Sequence, residues 1–111
     1  MSMWIEVGVL EDIPKLGARV VKSARGDIAV FRTADDEIFA IVDSCPHSGG
    51  PLSQGIVHGK AVACPLHNWN IDLETGEVLD PDHGCTRVIP VAIKDGLIRI
   101  FVEAEATGTN G

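Results

Sequence analysis

The chain has 111 residues, enough for one domain with a modest core and too few for two ordinary ones. Nine basic residues against sixteen acidic ones leave a net charge of −7 with no basic stripe, a balance that excludes phosphate backbones as partners. No run approaches the ~18–20 apolar residues that span a bilayer, and Met1-Ser2-Met3-Trp4-Ile5-Glu6 lacks the basic-then-apolar order of a signal peptide, so a cytoplasmic protein without membrane contact is expected.

Short β-branched runs separated by turn signals predict strands near 3–8, 18–22, 27–33, 37–43, 60–64, 69–73, 88–94 and 97–102. Leu10-Glu11-Asp12-Ile13-Pro14 allows one short helical turn, and no longer stretch shows a clean 3.6-residue period. Turns are expected at Arg25-Gly26, Asp35-Asp36, Glu74-Thr75-Gly76-Glu77 and Asp95-Gly96. The last lies between two apolar runs, the strongest hairpin signal in the chain. The fold class is therefore all-β, an antiparallel sandwich or barrel. One domain is expected over 1–102, and the small polar residues of 103–111 read as a flexible tail.

Two segments interrupt the strand rhythm. Residues 44–59 and 64–68 are rich in Gly, Pro, Cys and His, which suggests that the β scaffold holds a metal site at one end. Cys45-Pro46-His47 is followed, after sixteen residues, by Cys64-Pro65-Leu66-His67. Each half offers one thiolate and one imidazole from a tight turn, and the total of three cysteines is no disulfide framework. Two chemistries fit two sulfurs and two nitrogens. Zinc would take all four donors on one ion, as in a zinc-stapled interaction module, but structural zinc sites usually present like residues in pairs. A mixed Cys/His loop on each side suits a 2Fe-2S cluster instead, with cysteines on one iron and histidines on the other.

These residues resemble the Rieske family, through C-P-H-x-G-G-P-L-S-x-G at 45–55, C-P-L-H at 64–67 and D-L-E-T-G at 72–76. The resemblance implies a layered antiparallel β-sandwich with a two-loop cluster-binding subdomain at one tip. It implies one 2Fe-2S cluster per chain, with Cys45, His47, Cys64 and His67 as cofactor and metal ligands. Relative to the members of cytochrome bc complexes, Gly50 and Leu66 stand where a disulfide pair would be, and Trp69 and Ile71 stand where hydroxyl groups would reach the cluster sulfurs. Fewer hydrogen bonds to the sulfurs leave the reduced form less stabilised, so a potential toward the low end of the Rieske span is expected.

Within the family, the run 64–76, Gly55-Ile56-Val57-His58-Gly59-Lys60 and Pro81-Asp82-His83-Gly84-Cys85-Thr86-Arg87 resemble the small subunit of assimilatory NAD(P)H-dependent nitrite reductase. Asn68 contributes, because Rieske ferredoxins and oxygenases generally have Gly after the second ligand histidine. This resemblance implies a large partner subunit carrying flavin, a 4Fe-4S cluster and sirohaem, with electrons from NADH or NADPH. The alternative is a free Rieske ferredoxin serving a ring-hydroxylating dioxygenase.

Other chemistry-bearing residues carry blander expectations. Cys85 is expected to be a buried apolar thiol, and His58 and His83 surface turn residues. Gly49-Gly50-Pro51 is expected to pack against the cluster, and Trp69 to shield it or to belong to the ordinary core. No acid/base carboxylate couple, phosphate-cradling loop, dinucleotide fingerprint or nucleophile motif is present, so no catalytic residue is nominated. The expected role is electron transfer without bond-making chemistry in this chain.

Overall fold

The structure, a computed structural model, describes residues 2–23, 26–44, 50–64, 69–79 and 84–103. Its centre is built by β3 (Ile28–Arg32) and β4 (Ile38–Val42), whose sequences IAVFR and IFAIV are apolar at successive positions. Side chains of a strand alternate between faces, so such runs suit a strand covered on both sides. Ile28, Val30, Ile38 and Ala40 face one core, while Ala29, Phe31 and Ile41 face another. With β2 (Ala18–Val21) and β8 (Val88–Ile89) the central sheet has the order β2-β3-β4-β8.

A second sheet covers the far face. It comprises β1 (Ser2–Val9), β10 (Leu97–Glu103) and β9 (Val91–Lys94) in the order β1-β10-β9, and it contributes Val7, Ile98, Ile100 and Val102 to the far core. The third sheet, β5 (Ile56–His58), β6 (Ala61–Ala63) and β7 (Asn70–Asp72), lies on the other face. Its Val57, Val62 and Ile71 join Phe31, Ile41, Leu52 and Cys64 in the near core. All pairings between these strands are antiparallel. The expected layered all-β sandwich is therefore observed.

The expected strands recur with two differences. The single strand read over 88–94 is split at Pro90, which has no N–H to donate and cannot continue a ladder. Its first part pairs with β4 and its second with β10, so the chain changes sheet there. Strand β5 lies inside the segment read as a loop. It is only three residues long, too short to show alternation. Gly55, immediately before it, backs onto the Ala63 carbonyl oxygen, where any Cβ would collide.

The Asp95-Gly96 hairpin forms as expected, with positive φ at both residues (53° and 79°) as a type I′ turn requires. A 3-10 turn at Leu10–Asp12 occupies the predicted helical turn, its preceding Val9 N–H donating to Asp12 Oδ2 at 3.0 Å. Strand β10 extends through Glu103, the first residue of the expected tail; residues 104–111 lie outside the described residues. No helix among the described residues is long and apolar enough to cross a membrane.

Candidate metal centre

The first nominated loop leaves the central sheet at the end of β4. Asp43 is anchored there, its N–H donating to the Asp27 carbonyl at 2.9 Å, and Ser44 N–H turns back onto the Val42 carbonyl at 2.8 Å. Residues 45–49, with Cys45 and His47, lie outside the described residues. The chain re-enters at Gly50, which is buried, and proceeds to a 3-10 turn at Leu52–Gln54. Leu52 is fully buried in the near core. The Asp43 carboxylate accepts the Ser53 N–H at 2.7 Å and the Ser53 hydroxyl at 2.8 Å, joining the chain on the two sides of the loop.

The second loop is the end of the β6–β7 hairpin. Cys64 N–H donates to the Trp69 carbonyl at 2.7 Å, closing residues 65–68, which include His67 and lie outside the described residues. Cys64 has no exposed surface and carries a free thiol. It sits in the same core as Phe31, Leu52, Val62 and Ile71, with Trp69 packed against that core. Thiolate sulfur is the soft donor that iron–sulfur clusters take, and burial around it is one of the protein's levers on such a cluster, so the described donor fits the group. Trp69 and Ile71 present no hydroxyl, and Ile71 is wholly buried in the near core.

Beyond the second loop, Asp72 shapes the turn that follows β7. Its Oδ1 accepts the Glu74 N–H at 2.8 Å, and its carbonyl accepts the Gly76 N–H at 2.7 Å. Gly76 has φ +79° and its Cα faces the Thr86 carbonyl oxygen with no room for a side chain. The D-L-E-T-G motif is thus a turn built against the 84–87 segment.

Cys85 corrects an expectation: it is exposed, not buried. It forms an antiparallel bridge with Glu77, and directly opposed residues share a face. Glu77 is solvent-facing, so Cys85 is too. His58 is at the surface as expected, though at the end of β5, with its Nε2 2.8 Å from Asn70 Oδ1. His83 lies outside the described residues. The Asp43–Ser53 and His58–Asn70 contacts were not legible from motif spacing, since each joins residues ten or more apart with no periodic signal.

The sequence profile of the Rieske 2Fe-2S domain matches residues 3–90. The chain belongs to the Rieske family. Its cofactor is accordingly a 2Fe-2S cluster, and the Rieske chain works as an electron-transfer protein with redox partners. It is 40% identical over 101 residues to the 3-phenylpropionate/cinnamic acid dioxygenase ferredoxin subunit of Photorhabdus laumondii, covering 89% of this chain and 94% of that protein. It is 33% identical over 107 residues to the anthranilate 1,2-dioxygenase ferredoxin subunit of Burkholderia cepacia, covering 92% and 94%. Among solved structures, the Mycobacterium tuberculosis chain assigned as an NADH-dependent nitrite reductase small subunit superposes with a TM-score of 0.83 at 22% identity, covering 95% of this Rieske chain and 99% of that one. A chain from the complex of reduced oxygenase and oxidised ferredoxin in carbazole 1,9a-dioxygenase gives 0.81 at 26% identity, covering 92% and 95%.

Proposed function

We propose that this Rieske chain binds its cluster through Cys45, His47, Cys64 and His67, and that it is the small subunit of an NAD(P)H-dependent assimilatory nitrite reductase. When bound, the cluster supplies storage and release of one electron at a time. The protein's own contribution is a dry base around Cys64, closed by Leu52, Ile71 and Phe31, and two loops clasped at their ends. The single domain runs through Glu103, the last residue of β10, with 104–111 as its tail.

The observation that carries the nitrite reductase reading is the character of residues outside the four-ligand pattern. Asn68, the 72–76 turn and the Gly84-Cys85-Thr86-Arg87 segment together resemble that small subunit, and the turn and segment are built against each other through Gly76 and Thr86. Its partner would be a large subunit carrying flavin, a 4Fe-4S cluster and sirohaem, where nitrite becomes ammonia. An acidic surface of net charge −7 suits docking to a basic patch on such a partner.

A second reading has its own observation. Identities of 40% and 33% over nearly full length to dioxygenase ferredoxin subunits support a free ferredoxin that feeds a ring-hydroxylating oxygenase. The two are separated by depleting the chain from an extract of the source cells with an antibody and adding the purified protein back. Loss and restoration of nitrite-dependent NAD(P)H oxidation supports the reductase. Unchanged nitrite reduction, with loss of aromatic-dependent dioxygen uptake, overturns it in favour of the ferredoxin.

A further inference from the structure

The Asp43 carboxylate spends both oxygens on one residue, Ser53, at 2.7 Å to its N–H and 2.8 Å to its hydroxyl. The Ser53 N–H is one of the orphan donors at the start of the Leu52–Gln54 turn. In most such turns the preceding residue caps these donors with its own side chain. Here that position is Pro51, whose ring has no acceptor, and the carboxylate comes from ten residues away instead. Asp43 is itself fixed to the central sheet through its N–H bond to Asp27, and Leu52, beside Ser53, is locked in the core that contains Cys64. The contact therefore ties the two ends of the first loop to each other, and ties that loop to the base of the second.

We propose that Asp43 and Ser53 are positioning residues, a clasp that fixes the separation of the first loop's ends and thereby the placement of the Cys45 and His47 donors. The proposal rests on the ligand assignment above. At the second loop the Cys64–Trp69 contact is a backbone hydrogen bond, which side-chain substitution does not remove. At the first loop the Asp43–Ser53 contact runs through side chains, which substitution does remove. Hydrogen bonds to a charged group are among the stronger ones in proteins, so losing the clasp is expected to be felt as an altered cluster environment with the sheets intact.

The test uses the full-length, cluster-loaded protein with Asp43→Ala, Asp43→Asn, Ser53→Ala and Ser53→Thr. The readouts are iron release to a chelator, the EPR line shape of the reduced protein and far-ultraviolet circular dichroism. Asp43→Ala is expected to release iron on the order of tenfold faster, with a shifted EPR signal and unchanged β-sheet content. Ser53→Ala should move in the same direction, while Ser53→Thr, which keeps the hydroxyl, should restore the wild-type signal. Asp43→Asn keeps hydrogen bonding without charge and should fall between. Should Asp43→Ala fail to fold, the Ser53→Ala and Ser53→Thr pair decides. Iron release and EPR within about twofold of wild type in Ser53→Ala, or no rescue by Ser53→Thr, would overturn the clasp. A wild-type protein that carries no iron or sulfide would instead overturn the ligand assignment, and the clasp with it.

Discussion

Cys64 and Trp69 close the second loop with a single backbone bond, the Cys64 N–H donating to the Trp69 carbonyl at 2.7 Å. Cys64 directly follows Ala63, the last paired residue of β6, and is buried in the near core. The dry, apolar surroundings of that side chain are thus set by the protein core itself.

Replacing Cys64 by Ala is expected to abolish the 2Fe-2S cluster, because no other described donor lies in that core to take its place. The measurement is iron and acid-labile sulfide per chain, together with EPR of the dithionite-reduced protein. Wild type should hold two irons and two sulfides per chain, the content of one 2Fe-2S cluster, and the variant close to none. An unchanged Rieske signal in Cys64→Ala would refute the assignment.

The reduction potential should fall toward the low end of the Rieske span, which runs roughly −150 to +300 mV. Ile71 is buried and apolar and Trp69 offers no hydroxyl, so these two positions give no O–H donor to hold the reduced cluster's extra negative charge. A spectroelectrochemical titration with a midpoint well above zero would contradict this.

Among the described residues, Phe31 is the largest side chain wholly removed from solvent, and it belongs to the same core as Cys64. Phe31→Ala should cost roughly 3–5 kcal/mol of stability. Denaturant unfolding of the two proteins checks it. A loss below about 1 kcal/mol would mean that the core closes over the gap, contrary to its dense packing.

Acid stability should carry a contribution from Asp36. Its carboxyl is held below the ordinary carboxylate value chiefly by the side-chain hydrogen bond from Arg32, which outweighs desolvation, with the charges of Lys15 and Arg32 assisting. A folded value below the unfolded one makes this contribution complete above the unfolded value near 3.8, and it is lost as pH falls through the folded value. Between about pH 5 and pH 3, wild type should therefore lose more stability than Asp36→Asn. Parallel losses in the two proteins would dismiss the effect, and the exposed setting of Asp36 keeps it small.

Much of this molecule was legible from residue order, and the reasons are physical. The β-branched runs at 27–33 and 37–43 announce strands, and Asp95-Gly96 between two apolar runs announces a hairpin. The family could be read because two Cys/His loops with a Pro after each Cys are rare by chance. Cys85 was misjudged because cysteine is usually buried, whereas its placement is set by its pairing with Glu77. The passage of the chain between sheets at Pro90 needed the pairing partners of Val88 and Val91, which lie in different sheets and leave no local mark. The Asp43–Ser53 contact was hidden for a similar reason, since a side chain that caps a turn from a distance follows no spacing rule.

Strand β1 pairs with β10, matching Ser2 with Glu103. The near core, by contrast, draws its buried residues from Ala29 through Val78. On a ribosome, which delivers the chain from the N-terminal side, the core that contains Cys64 thus has its described buried set available while the far core still awaits Ile98, Ile100 and Val102. Until β10 emerges, β1 has no strand to pair with and the far face of the central sheet lacks the cover of Ile98, Ile100 and Val102. Synthesis of this protein consequently runs through an interval in which the Cys64 core can close while the opposite core is still incomplete, the period when a nascent chain most needs protection from its neighbours.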